Sequence, residues 1–145
     1  MGSFIIVMVF ILRPRTVEKE LHELQGVFPS LTKKDFFYLE NGNICVRVKY
    51  VTAGPYSCGT FTVLIEFPHN YPTAPPHAWV TEPEISHTHH IHRRDKYGHT
   101  EICYLRPKKD WHFSYTAYDA AIMIQTWIWA YCRWLKTGKW DWKEA

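Results

Sequence analysis

The sequence predicts one α+β domain in which a short helix, a four-stranded antiparallel meander, a long irregular loop and a second helix follow in order. Apolar and polar residues alternate over two stretches between residues 44 and 67, as in strands with one buried face. Asn41-Gly42 precedes the first stretch and is a strong signal for a hairpin turn. An apolar stripe at helical spacing runs from Ile124 to Leu135 and can cover the sheet. At 145 residues, the chain is long enough for a single hydrophobic core.

Residues 16–145 are predicted to form this domain, and its first helix is expected to begin at Thr16, whose hydroxyl can cap it. Acidic side chains in the first turn suit the positive end of the helix dipole, and the helix should end near Gly26. The preceding residues 1–15 contain an apolar run, 4–12, which is shorter than the roughly 20 residues that a bilayer crossing requires. We consider three explanations for this run: an added strand, a partner-binding segment, or residues upstream of the true domain start.

The strands are predicted at residues 36–39, 44–50, 60–67 and 77–81, with Pro68 ending the third. Alternate side chains of the two central strands point to one face. The apolar residues assigned to that face are Ile44, Val46, Val48, Tyr50, Phe61, Val63, Ile65 and Phe67.

The last helix is predicted to begin at a cap supplied by Thr116 or Ser114, with Asp119 in its first turn, and to end at Gly138. Its buried stripe is predicted to consist of Ile124, Trp127, Ile128, Tyr131, Cys132 and Leu135. Trp79 and Trp111 are also assigned to the core. Tryptophans off the stripe or beyond the helix are candidates for a partner surface, and these are Trp129, Trp140 and Trp142.

Composition restricts the class of protein and its setting. The net charge is +3, and no basic run with interleaved aromatic residues is present, so nucleic-acid binding is not expected. The four cysteines show no CxxC or paired metal spacing, and a disulfide scaffold is not expected at this length. We therefore predict a soluble, cytoplasmic protein that acts in a reducing compartment without a membrane partner. The cysteines are Cys45, Cys58, Cys103 and Cys132.

Cys103 is the candidate nucleophile because it falls in the irregular segment between the last strand and the last helix. Loops of this kind hold reactive side chains on a fixed scaffold while a substrate can still approach. The alternative is that a cysteine is simply a small buried hydrophobic residue. Cys45 and Cys132 fit that alternative, since each falls in a regular element.

The order of motifs around Cys103 resembles that of the ubiquitin-conjugating (UBC) enzyme family. A Tyr71-Pro72-x-x-Pro75-Pro76 turn follows a strand, Ile102-Cys103 follows a histidine-containing loop and Gly98, and Trp111 comes eight residues after the cysteine. The resemblance covers about residues 16–138. It implies a UBC-like fold, a thioester on Cys103, and no cofactor or metal in the protein itself.

A narrower resemblance involves Ile102-Cys103-Tyr104-Leu105, Trp127 and the segment 134–140. These residues resemble bacterial members of the family that occur in CBASS anti-phage defence operons beside a cGAS/DncV-like nucleotidyltransferase. This form is expected to lack the last two helices of eukaryotic members. The implied partners are the C-terminal tail of a ubiquitin-like protein or of the nucleotidyltransferase, and a separate activating enzyme.

The sequence departs from the family at the residue that stabilises the oxyanion, the negatively charged oxygen that forms when an amine attacks the thioester. Eukaryotic members have His-Pro-Asn about ten residues before the cysteine, whereas no Asn follows Asn70 here. An oriented hydrogen-bond donor at that point stabilises the developing negative charge. His92, His90 or Arg93 could supply the hydrogen bond, and His92 is also a candidate base for an incoming amine.

Two alternative functions remain open at this point. A histidine cluster beside Cys103 could bind zinc, although no second ligand group is apparent; its members are His87, His89, His90, His92 and His99. The domain could also be a non-catalytic adaptor that binds a ubiquitin-like protein or a peptide tail, because the family fold occurs in such variants. The presence of Cys103 favours the enzyme.

Overall fold

In a computed structural model, which describes residues 17–86 and 90–140, a six-stranded antiparallel sheet is covered on one face by a long helix. The strands are β1 (Phe36–Tyr38), β2 (Ile44–Val51), β3 (Thr60–Phe67), β4 (His77–Glu82), β5 (Ile91–Arg94) and β6 (Thr100–Ile102). The helices are α1 (17–24), α2 (Pro107–Asp110) and α3 (Ala117–Thr137), and a 3-10 turn covers Lys33–Asp35. The predicted α+β class and the helix at each end are confirmed.

The four predicted strands are present, and the sheet order is β1-β2-β3-β4-β6-β5. The prediction of a four-stranded meander followed by an irregular loop is wrong, because part of that loop forms the β5–β6 hairpin at the sheet edge. Its turn is held by Asp95, whose carboxylate accepts the N–H groups of Tyr97 and His99. The two strands are only four and three residues long and largely polar, so no alternation marks them in the sequence.

The core lies between the sheet and α3. All eight residues assigned to the inner face of β2 and β3 are buried, as predicted. Thr116 caps α3 and Asp119 accepts the Thr116 N–H at 2.8 Å, while Gly138 ends the helix at a φ of 76°. The predicted stripe is buried as far as Cys132, but Leu135 is 47% exposed, because Trp134 instead packs against Tyr131.

The expectation that the cysteines form no disulfide is wrong at one pair. Cys58 and Cys132 are bonded, with their Cα atoms 5.6 Å apart across 74 residues of sequence. The loop between β2 and β3 returns over α3, where the Lys136 ammonium donates to the Ser57 carbonyl at 3.0 Å. Cys132 is therefore a cross-link between loop and helix and not only a buried member of the helical stripe.

Three sequence predictions fall outside the described residues. They concern the apolar run 4–12, the cap at Thr16 and the surface role of Trp142. Among the helices of residues 17–86 and 90–140, none combines the length and the apolar character that crossing a membrane requires.

Candidate functional site

Cys103 lies immediately after β6, at the point where the sheet gives way to the loop that leads to α2. Its backbone N–H donates to the His90 carbonyl at 3.0 Å, so the pairing with the β5 side continues one residue beyond the strand. Ile102 belongs to the buried core. Because side chains alternate along a strand, Glu101 and Cys103 are directed to the opposite, outer side.

The sequence predicts an open sulfur at the surface, but Cys103 is only 8% exposed. The chain on either side of the cysteine turns inward, and Ile102, Tyr104 and Leu105 all belong to the core. Cys103 itself is not part of that core cluster, and its Sγ lies 3.9 Å from the Leu105 carbonyl oxygen. The thiol is therefore at the margin of the core, and its reaction with a large partner requires a local movement.

Two hydrogen bonds attach the cysteine loop to the proline-rich turn. The Tyr104 hydroxyl donates to the Pro76 carbonyl at 2.6 Å, and the Trp111 indole donates to the Pro72 carbonyl at 2.8 Å. Trp111 is buried, as predicted. Both donors follow Cys103 in the sequence, so the proline turn fixes the part of the chain that leads away from the cysteine.

Tyr104→Phe is expected to lower the free energy of unfolding by about 1–3 kcal/mol, because it leaves the Pro76 carbonyl without this donor in a buried setting. Urea denaturation followed by tryptophan fluorescence measures the change. Tyr97→Phe, at an exposed tyrosine of the β5–β6 turn, is the matched control and should leave stability unchanged. Equal stability of the two variants would contradict the proposed role of the Tyr104 hydroxyl.

The other three cysteines are occupied or deeply buried. Cys58 and Cys132 form the disulfide. Cys45 is fully buried on β2, and this burial, reinforced by Glu66, raises the pKa of its thiol to about 12. A protonated thiol is a poor nucleophile. Cys103, in the loop after β6, is therefore the cysteine that we consider for thiol chemistry.

The fold places His90 and His92 in different surroundings. His90 is buried and its ring stacks on Trp140 at 4.0 Å, while its carbonyl accepts hydrogen bonds from Cys103 and Trp127. His92 is exposed on β5 and lines a groove next to the cysteine. His87 and His89 lie outside the described residues. Within the part of the chain that the structure describes, no group of three or more His, Cys, Asp or Glu side chains could hold a metal ion.

A groove of about 560 Å³ runs beside the cysteine loop on the outer side of the sheet. It includes Ile102 and Tyr104, the two neighbours of Cys103. Its apolar wall consists of prolines and leucine, namely Pro68, Pro75, Pro76, Leu105 and Pro107. Its polar side chains are Asn70, His77, His92, Arg93 and Glu101.

Glu101 organises the polar end of this groove. Its carboxylate accepts from Arg93 Nε at 2.8 Å and lies 2.7 Å from His77 Nδ1. Burial opposes ionisation of Glu101, but the hydrogen bonds with His77 and Arg93 outweigh it and lower the pKa. The hydrogen bond with Glu101 in turn raises the pKa of His77. The result is an ion cluster on the same side of the sheet as Cys103.

The sequence-based prediction missed this cluster. Glu101 is two residues before Cys103, which is the only signal that the sequence offers, and the pairing of β4, β6 and β5 brings His77 and Arg93 to it. Trp79 was predicted to be core, and this is wrong. It lies on the outer face, where its indole donates to Glu66 at 3.0 Å and its ring lies under the Arg93 guanidinium at 5.0 Å.

The fold and the site together define an α+β protein in which Cys103, one of two reduced cysteines, lies beside a groove. Comparison with family models identifies its class more closely: the model described as Type II CBASS E2 protein matches residues 20–145. The chain therefore belongs to the Type II CBASS E2 protein family, and the resemblance to bacterial conjugating-enzyme-like proteins is confirmed. Membership implies a role in CBASS anti-phage defence, a conjugating-enzyme-like activity and interaction with other CBASS components. No curated protein and no solved structure matches the chain.

Proposed function

We propose that Cys103 accepts the C-terminal carboxyl group of a protein partner as a thioester and passes it on. The observation that supports this most directly is the position of Cys103, the one reduced cysteine beside the outer groove, between two core-anchored segments. The carried group is the tail of a ubiquitin-like protein or of a cGAS/DncV-like nucleotidyltransferase. Conjugation of the nucleotidyltransferase would regulate anti-phage signalling.

The chemistry requires no group beyond the thiol in the loading step. The Cys103 thiolate attacks the acyl carbon of a thioester on a separate activating enzyme, and the bond from that carbon to the activating enzyme's sulfur breaks. Attack by an amine then releases Cys103 as a thiolate. A thiolate is both a good nucleophile and a good leaving group, so both steps are accessible. The activating enzyme consumes the ATP, since this sequence contains no glycine-rich phosphate-binding loop.

The transfer step is assigned to His92. It is exposed in the groove that borders the cysteine, where it can donate a hydrogen bond to the oxyanion or accept a proton from the amine. The His90 ring is stacked under Trp140 and buried, so we give His90 a packing role. The guanidinium of Arg93 is oriented by Glu101 and is not assigned to the reaction.

The 8% exposure of Cys103 favours a second candidate, a non-catalytic adaptor that binds a polypeptide tail in the groove without forming a bond. The two candidates separate by experiment. The protein is purified under acidic, non-reducing conditions from cells that express the complete CBASS operon, and its intact mass is measured before and after treatment with hydroxylamine. If the protein is the proposed enzyme, we expect an added mass that maps to Cys103 and is removed by hydroxylamine. Association that is lost on denaturation, with no added mass, would support the adaptor.

A further inference from the structure

The outer face beside Cys103 holds two cationic side chains that one buried carboxylate orients. Glu101 is 5% exposed, and its two oxygens bind separate partners, Arg93 and His77. A second buried carboxylate, Glu66, also lies near His77, so two carboxylates balance two cations when His77 is protonated. The bond with Glu101 fixes the geometry of Arg93 before a ligand arrives.

Arg93 has donors that remain available. Its Nε is used by Glu101, and its guanidinium carbon lies 5.0 Å from the centre of the Trp79 ring. No hydrogen bond between described residues uses its two terminal nitrogens. The side chain is 63% exposed and lines the groove. These terminal N–H groups form the planar fork that binds a carboxylate in a bidentate manner.

The register of β5 and β6 relates the position of Arg93 along the sheet to that of Cys103. Arg93 is opposite Glu101 in the β5–β6 register. Cys103 follows Glu101 by two residues, the spacing at which side chains of an extended chain point to the same side. Two residues of extended chain span about 7 Å. A polypeptide tail that is attached to Cys103 and lies extended in the groove would therefore bring a residue near its C-terminus to Arg93.

We propose that Arg93 recognises an acidic side chain in the carried tail, two to four residues before the residue joined to Cys103. This inference rests on the proposed function, because the thioester is what fixes the tail at a set distance from Arg93. The apolar wall formed by Pro75, Pro76 and Leu105 accommodates the rest of an extended peptide. Arg93 is thus a specificity-determining residue, separate from the thiol that forms the bond.

The test uses synthetic peptide thioesters as acyl donors. N-acetylated decapeptides ending in a glycine benzyl thioester are mixed with the full-length protein. The Cys103 thiolate attacks the glycine carbonyl carbon, and benzyl mercaptan leaves as its thiolate. One peptide has Glu three residues before the glycine and its partner has Gln there; a second pair places the same exchange eight residues before it. Intact mass gives each loading rate.

We expect the near Glu peptide to load about five- to tenfold faster than its Gln partner at low salt, because a charged pair is stronger than a neutral one. The distant pair should show no difference. In Arg93→Gln, the ratio of the two near-peptide rates should fall to about one. Lys96→Gln removes the same charge from the exposed β5–β6 turn, outside the groove, and should keep the preference.

The results that would refute the proposed function differ from those that would refute only the role of Arg93. Absence of a Cys103 adduct with every peptide would refute the proposed function and this inference with it. Adducts that form at equal rates from the near Glu and Gln peptides would leave the function intact and overturn the role of Arg93. A preference that persists in Arg93→Gln, or that appears equally for the distant pair, would also overturn it, since general attraction by a basic protein would then explain the result.

Discussion

Replacement of Cys103 by serine is expected to slow acyl loading by at least about a hundredfold, because a serine hydroxyl without an adjacent base is far less nucleophilic than a thiolate. The acyl group that does transfer would be held as an oxyester, which thiols do not cleave. Loading is measured with the wild-type protein and the variant under identical donor concentrations, by intact mass before and after thiol treatment. The change in thiol sensitivity identifies the bonding atom independently of the rate.

Cys45→Ala is the matched control for this result. Cys45 is fully buried on β2 and burial raises the pKa of its thiol, so its removal takes away no nucleophile. The variant should lose about 1 kcal/mol of stability to the small cavity, yet load at the wild-type rate per folded molecule. Loading that survives Cys103→Ser unchanged, or that disappears in Cys45→Ala, would contradict the assignment of the thioester to Cys103.

The central strands and the last helix could be predicted because their signals are local. The alternation in β3 gave its bounds as 60–67, and these are the bounds in the structure. The cap at Thr116 and the end at Gly138 follow from side-chain and backbone chemistry within a few residues of each helix end. Such features do not depend on distant parts of the chain, so the sequence alone was sufficient.

The features that sequence reasoning missed all depend on residues brought together by folding. The β5–β6 hairpin is short and polar, and its place in the sheet is set by pairing with β4. The Cys58–Cys132 disulfide joins a loop to a helix across 74 residues. The spacing of the cysteines in the sequence does not predict this pairing. The loop is positioned by tertiary hydrogen bonds, such as the one from Lys136 to the Ser57 carbonyl.

In the candidate site, too, some features have local sequence signals and others depend on contacts made by folding. The proline turn, Cys103 and Trp111 could be found as a pattern, but the physical reason for the pattern is tertiary. Tyr104 and Trp111 donate to carbonyls of the proline turn, which lies about 30 to 40 residues earlier. The low exposure of Cys103 follows from the inward course of its neighbours, and no property of the cysteine's own sequence position predicts it.

Trp127→Ala is expected to lower the free energy of unfolding by about 3–5 kcal/mol, the range for removing a large aromatic side chain from a core. Trp127 is fully buried, stacks on Tyr131 at 5.2 Å and contacts Trp140 edge-on. Denaturant titration followed by circular dichroism measures the loss without relying on the fluorescence of the missing residue. Trp129→Ala, on the exposed side of the same helix, should change stability by less than about 1 kcal/mol.

Trp127 also connects the core to Cys103 through a shared hydrogen-bond acceptor. A second substitution, Trp127→Phe, tests this connection. Its indole N–H donates at 3.1 Å to the His90 carbonyl, the same oxygen that accepts the Cys103 N–H at 3.0 Å. Trp127→Phe retains most of the ring and removes the donor, at a cost of about 1 kcal/mol. Because His90 is then held less firmly, Cys103 should react several-fold faster with iodoacetamide in the folded protein. An unchanged rate of alkylation would show that the shared carbonyl does not restrain the thiol, and that its low exposure arises from the packing of Ile102 and Leu105 alone.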